Sequence, residues 1–212
     1  MKRLISSLAI AILTLTTNTA YAQAQFSSEL IFPLQDKHVH SSTLTEMPDG
    51  EIIAAWFHGS GERHSNDVQV LGSRLKEGAT QWAPIFPMAD TPNLPDCNPV
   101  LYTDAQNRLW LFWVVVHSNR WENSILKYKR ADHMSLTGPP NWNWQDIIIL
   151  KPGDEFPKQL EDGLKEVGLI DGMWAEYALP YSRMLVENAG DKLKRQMGWM
   201  GRCIPITLPS GR

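Results

Sequence analysis

Gly50-Glu51-Ile52-Ile53-Ala54-Ala55-Trp56-Phe57 and Asn107-Arg108-Leu109-Trp110-Leu111-Phe112-Trp113-Val114 are two copies of one pattern, 57 positions apart. Each copy leaves a turn residue, runs apolar, and carries a tryptophan near its end. The second copy continues through Val115 and Val116 as an unbroken apolar run. That run is too short and too β-branched to prefer helix, so it reads as a strand buried on both faces. Short strands are expected around the first copy at 43–47, 51–57, 68–74 and 84–88, with Pro48-Asp49-Gly50 turning the first pair. Around the second copy they fall at 98–102, 108–116, 124–130 and 146–150. In each set the third strand ends in an arginine (Arg74 or Arg130), and a tryptophan (Trp82 or Trp144) precedes the fourth. Four short strands per repeat, at a period of about 50 residues, is the signature of a β-propeller blade.

The fold class expected is therefore all-β. Blade one spans about 38–90 and blade two about 96–150. A third unit starts at 200–212, where Ile204-Pro205-Ile206-Thr207-Leu208-Pro209-Ser210-Gly211 parallels Leu44-Thr45-Glu46-Met47-Pro48-Asp49-Gly50. The segment 151–199 fits no blade. Helical spacing over 156–167 and 183–197 makes it a partly helical insertion. Two blades and a piece cannot close a ring, so the chain reads as the N-terminal part of a propeller: a fragment, a truncated reading frame or a partial chain. Open sheet edges then predict aggregation rather than a well-behaved monomer.

Composition narrows the function. An apolar share of 43% in 212 residues suffices for a core. A net charge of −3 with 20% charged residues argues against a nucleic-acid partner and against a disordered acidic tail. Nine tryptophans are an excess that suits surfaces apolar on one side and hydrogen-bonding on the other. At the N-terminus Lys2 and Arg3 precede an apolar run from Leu4 to Leu15, and Ala20-Tyr21-Ala22 offers a small-residue cleavage site. This is a signal peptide over 1–22, with the mature chain, 23–212, starting near Gln23. The run falls short of the roughly 20 residues of a membrane span. A periplasmic or secreted protein is expected, with no stable membrane insertion after cleavage. Export permits a bridge between Cys97 and Cys203, with two buried free thiols as the competing reading. Neither cysteine has a metal-ligand neighbour, and no cofactor or metal is expected.

Asn98-Pro99-Val100-Leu101-Tyr102, Asp104 and Leu109-Trp110-Leu111-Phe112 resemble the second blade of the sialidase (neuraminidase) superfamily. His40-Ser41-Ser42-Thr43-Leu44 with Pro48-Asp49-Gly50 resembles its first blade, and the endings at Trp82 and Trp144 resemble degraded Asp-box (BNR) repeats. The box is imperfect, because Lys76 stands where the Asp two before Gly78 belongs. The resemblance covers about 37–150 and 199–212, and bacterial sialidase-like BNR proteins match best. It implies a six-bladed propeller with its site at one mouth. An arginine triad there holds the sugar carboxylate, a Tyr–Glu pair supplies the nucleophile, and an Asp on a first-blade loop is the general acid/base. The chain departs from this pattern where the first triad arginine would stand, because His40 occupies the place and cannot make a two-pronged contact. The other arginines and the Tyr belong to later blades, so this chain alone is expected to be inactive.

The loop from His58 to Asp67 lies where the family keeps its acid/base. His64 is the first candidate for that role, since imidazole changes charge near neutrality, and Asp67 is the second. A solvated hairpin loop capped by Asp67 is the plain alternative. Expected substrate contacts are His40, Asn98, Arg120, Trp121 and Arg202. Each also has a structural reading: Asn98 as a turn residue bonding its own backbone, Trp121 as a cover for the blade edge. Glu176-Tyr177 is set aside as a nucleophile pair, because neighbours on a strand point to opposite faces. The topology is expected to gather these residues at one mouth. The leading functional expectation is an exported sialidase-like glycoside hydrolase acting on an acidic or complex glycan. A non-catalytic glycan-binding propeller, or a lyase on the same scaffold, stands beside it.

Overall fold

The structure is a computed structural model that describes residues 26–198 and 204–210. The chain divides into two compact units, Met1–Leu30 and Ile31–Arg212. Of the first, residues 26–30 are described and carry neither helix nor strand. The second holds every element among the described residues. The expected leader lies outside the described residues, as do Arg202 and Cys203.

Strands β1 (His38–Glu46), β2 (Ile52–Gly59), β3 (Gln69–Leu75) and β4 (Phe86–Ala89) form one antiparallel four-stranded sheet in chain order. Strands β5 (Asp96–Thr103), β6 (Leu109–Val116), β7 (Ser124–Ala131) and β8 (Trp144–Ile148) form a second with the same order. The side-chain period of two decides how they pack. Leu109, Leu111, Trp113 and Val115 of β6 are buried in one cluster with Ile53 and Ala55 of β2, Val70 of β3 and Met88 of β4. Burying each Leu, Ile, Val or Met side chain among them contributes about 1.5–3 kcal/mol. The alternate positions Trp110 and Phe112 are only half-buried, on the far face of the sheet. The β6 run is thus buried on both faces only over its last four residues, a correction to the sequence reading.

The two sheets meet along β1 and β5 without sharing a ladder. The Leu101 amide donates to Thr43 Oγ1 at 3.2 Å, and the Thr45 and Thr103 hydroxyls lie 3.0 Å apart. Both strands carry an irregularity at the same repeat position, between His40 and Thr43 and between Cys97 and Val100. Ser41 (φ 57°) and Asn98 (φ 52°) take left-handed backbone there. The bulge lets β1 continue back to His38, so His40 lies within the strand rather than ahead of it. At the opposite end of the sheets the Arg74 guanidinium grips Glu51 in a buried bidentate pair. It also donates to the carbonyls of Ser135 and Gly138, at 2.8 and 3.3 Å.

Trp142, not Trp144, is the counterpart of Trp82. The Ala83 amide donates to the Arg74 carbonyl, and the Asn143 amide makes the same bond to Arg130. Trp142 packs on the core, whereas Trp144 opens β8 and is 51% exposed. The 151–199 segment is helical as expected but with other bounds. Helix α1 is Phe156–Glu166 and α2 is Ala175–Gly190, so α2 begins eight residues before the expected Arg183. Glu176 and Tyr177 therefore sit in the first turn of a helix, not on a strand. Residues 204–208, expected as a first strand, make no ladder among the described residues. They run over the far face of the second sheet, with Thr207 Oγ1 hydrogen-bonded to the Tyr102 hydroxyl.

Candidate functional site

An antiparallel meander sends the start of its first strand and the link between its second and third strands to one end. Here the starts of β1 and β5, loop 60–68 and loop 117–123 share that end. His40, His64, Asp67, Asn98, Arg120 and Trp121 all lie on these segments.

A clasp joins the two loops. The Asn119 side-chain amide donates to the Arg63 carbonyl at 2.6 Å and to Asn66 Oδ1 at 3.3 Å. The Arg63 guanidinium lies over the Trp121 ring at 5.5 Å, a cation–π contact. Beneath the loops Phe57, Val68, Cys97, Val114 and Val116 form a second apolar cluster, against which Trp121 and Leu126 pack. Gly59 ends β2 for a steric reason: a Cβ there would come within 2.6 Å of Val68 Cα, so only glycine lets the loop return this closely. The exit of the helical segment reaches the same end. The Gly198 amide donates to the Ser124 carbonyl at 3.0 Å, and a Cβ on Gly198 would meet Glu122 Cα at 3.0 Å.

Asp67 is held, not free. Its carboxylate accepts from Lys37 Nζ at 2.8 Å, from the Ser60 hydroxyl at 2.6 Å and from the Ser60 amide. The Lys37 and Ser60 bonds keep it well below the usual carboxylate range, so it is ionised at neutral pH and cannot donate a proton there. His64 is exposed. Arg120 is also exposed, 3.8 Å from Glu122. Asn98 is buried in its left-handed bend. His40 belongs to a ring cluster: its imidazole meets His38 at 5.5 Å and Phe57 at 5.5 Å, and His38 stacks on Phe57 at 5.6 Å. Burial, with Lys37 and His38 nearby, pushes His58 below its ordinary value. Cys97 is a buried free thiol that burial pushes up to about 12, so it is no nucleophile at neutral pH. Among the described residues, no group of three His, Cys, Asp or Glu side chains could hold a metal ion. No helix among them is long and apolar enough to cross a membrane.

Sequence reasoning missed Lys37, His38, Arg63 and Asn119. The first two lie at the edge of the expected first blade, ahead of its first strand, which was expected only from Thr43. Arg63 and Asn119 sit in the loops singled out, but a clasp between loops of two units leaves no mark in sequence spacing. Asp96 was missed as well. It is fully buried at the start of β5 and accepts from Trp113 Nε1 at 2.6 Å and from the Thr91 hydroxyl at 2.8 Å. Desolvation pushes its pKa up against those bonds.

The family described as "BNR repeat-like domain" matches residues 50–182, more than half of the chain. No curated protein matches. Among solved structures, the "Hadza microbial sialidase Hz136" is similar at 16% identity with a TM-score of 0.43, over 52% of this chain. The chain spans 26% of that sialidase.

Proposed function

The chain belongs to the BNR repeat-like domain family, and from that premise we propose that its two sheets are neighbouring blades of a sialidase-type propeller in an exported, periplasmic or secreted glycoside hydrolase acting on an acidic or complex glycan. One observation carries the reading. Loops 60–68 and 117–123, locked by Asn119 on Arg63, stand at the same end as the starts of β1 and β5. Ionisable and aromatic side chains from two repeats thus share one rim, the arrangement a sugar site needs. Trp121, half-exposed beside Arg63 and Arg120, offers a flat apolar face flanked by cations. Glycosidic cleavage needs a proton delivered to the leaving oxygen. His64 is the group for that role, exposed and on the loop after β2. Asp67, ionised, serves as an anchored anion that fixes the loop through Lys37 and Ser60. His40, Asn98 and Arg120 are the sugar contacts, with Arg202, outside the described residues, as a further one.

A second reading, a glycan-binding propeller without catalysis, draws support from the Lys37–Asp67 pair. That pair removes a carboxylic acid from the place where a proton donor is wanted. A panel of chromogenic glycosides, run beside a glycan-binding array, separates the two. Turnover lost in His64→Ala supports the hydrolase. Array binding without turnover supports the binding propeller. Silence in both assays ends the glycan reading.

A further inference from the structure

The offset of 57 that relates the two units in sequence also relates their ladders: Thr43 pairs with Ala55 in the first sheet, and Val100 with Phe112 in the second. Each position in the contact between the sheets therefore has a repeat counterpart outside it. From the second sheet Leu101, Leu111 and Trp113 enter the contact, and from the first Ile53 and Ala55. Their counterparts are Leu44, Ala54 and Trp56 on the outer face of the first sheet, and Trp110 and Phe112 on the far face of the second. Among the described residues no sheet lies against either of these faces.

The outer face of the first sheet is left unfinished. Leu101 is 1% exposed, whereas its counterpart Leu44 is 64% exposed. Phe32 tilts over the Trp56 ring at 4.8 Å, but a groove of about 430 Å³ stays open between Ile31, Leu44, Ala54 and Trp82. Trp113 Nε1 donates to Asp96, while the buried Trp56 Nε1 has no hydrogen-bond partner among the described residues. Val39 stands at the Asp96 position, and its side chain offers no acceptor.

The far face of the second sheet is aromatic. Trp110 and Phe112 stack at 5.9 Å, and Tyr128 lies 5.7 and 6.2 Å from them, all three half-buried. Among the described residues one hydrogen bond, between Thr207 and the Tyr102 hydroxyl, ties the 204–208 segment to one edge of this face. Leu193 and Met197 reach Leu126 and Ile148 at the other edge.

We propose that the outer face of the first sheet of one copy docks on the far face of the second sheet of another, repeating between copies the contact that joins the two sheets within the chain. A second copy is the occupant because it carries the fitting half. Its Leu44 and Glu46 take the places of Leu101 and Thr103, opposite Val100 and Tyr102, which take those of Thr43 and Thr45. The Thr45–Thr103 hydroxyl pair, 3.0 Å apart within the chain, becomes the Tyr102 hydroxyl donating to the exposed Glu46 carboxylate, with the 204–208 segment displaced. The interface is heterologous, since the two partners use different surfaces. It sets loop 60–68 of the second copy beside loop 117–123 of the first, so each rim continues into the next. The inference is independent of the glycan reading, and its test involves no saccharide.

The test is sedimentation velocity of the full chain over a concentration series. The expected result is reversible association into a defined oligomer. Leu44→Asp places a charge on the outer face and Phe112→Glu places one on the far face, and each should weaken association on the order of tenfold or more. Mixed together, the two variants should form a one-to-one complex that grows no further, because one intact copy of each face remains between them. Circular dichroism melts verify folding, and Phe112→Ala replaces Phe112→Glu should the charged variant fail to melt cooperatively. A parent chain still monomeric at about 100 μM, where even weak specific pairs associate, overturns the proposal. Association that neither variant changes overturns it as well, since it then runs through other surfaces. Loss in one variant alone marks a face pairing with itself, and a mixture that stays monomeric excludes the complementary faces; either result overturns the head-to-tail contact.

Discussion

The Asn119 side chain donates to the Arg63 main-chain carbonyl at 2.6 Å, across two loops that belong to different sheets. A side-chain amide can reach a foreign backbone here because Asn119 takes a left-handed conformation (φ 55°), which turns it out of the 117–123 loop. The bond is one of few direct ties between the loops. Its worth is that of a single partly buried hydrogen bond.

Asn119→Ala should therefore lower stability by about 1 kcal/mol. Its larger effect should be local, with faster amide exchange over residues 60–67 while the β2 and β6 amides keep their protection. Hydrogen exchange read by mass spectrometry checks this. Unchanged exchange in the 60–67 loop would show that the clasp does not hold it.

The eight strands of the described residues were legible in the sequence, because short apolar runs stand between turn signals in each unit, and because Gly50–Phe57 repeats as Asn107–Val114. What escaped was whatever depends on a break in the pattern. The bulges at Ser41 and Asn98 use no glycine, so nothing announced that β1 would run on to His38. Trp144 looked like the partner of Trp82 because it adjoins the fourth strand, yet the bond from the Asn143 amide to the Arg130 carbonyl gives that place to Trp142. At the candidate site the loops could be named in advance, but not their pairings. Lys37 lies 30 positions from Asp67, and no local spacing links them.

The Trp142 assignment has an energetic consequence. Trp142 packs on the core between the sheets, while Trp144 is 51% exposed and donates to the Tyr128 hydroxyl at 2.9 Å. Trp142→Ala should cost about 3 kcal/mol, at the lower end for a tryptophan truncated in a core because its burial is partial. Trp144→Ala should cost under about 1 kcal/mol. Urea unfolding of the two variants, compared at equal m-values, reads the difference. Equal losses would return Trp144 to the structural role.

Arg74 and Glu51 offer a sharper test of what joins the sheets. Both side chains are 5% exposed, and the guanidinium also holds the Ser135 and Gly138 carbonyls of the second sheet's loop. Removing the carboxylate alone leaves a buried cation without its counter-ion. Glu51→Ala should cost about 3–5 kcal/mol. A double replacement, Glu51→Leu with Arg74→Met, should cost less than the single change, because no charge is then stranded. Thermal melts of both variants check the order, and a double variant worse than Glu51→Ala would contradict the desolvation argument.

His58 sets a pH dependence whose sign can be worked out. Burial, then Lys37 and His38, hold its folded pKa below the ordinary 6.5, with Asp67 opposing them. The unfolded chain thus binds a proton at a pH where the folded chain does not. Stability from this residue is complete above about pH 6.5 and declines as the pH falls toward the folded value. Asp67 adds no slope in that range. Its depressed carboxylate keeps the Lys37 pair intact above about pH 4, and the pair is lost only in stronger acid. His58→Gln should therefore flatten the stability profile between pH 6.5 and 5 while leaving the neutral value within about 1 kcal/mol. Lys37→Met removes one charge that holds the imidazole neutral and frees the Asp67 carboxylate that opposes it. Both changes should raise the His58 titration midpoint toward 6.5. Imidazole NMR titration of the parent and Lys37→Met chains reads that midpoint directly. A parent His58 titrating at or above 6.5 would mean that burial at the end of β2 does not govern its charge.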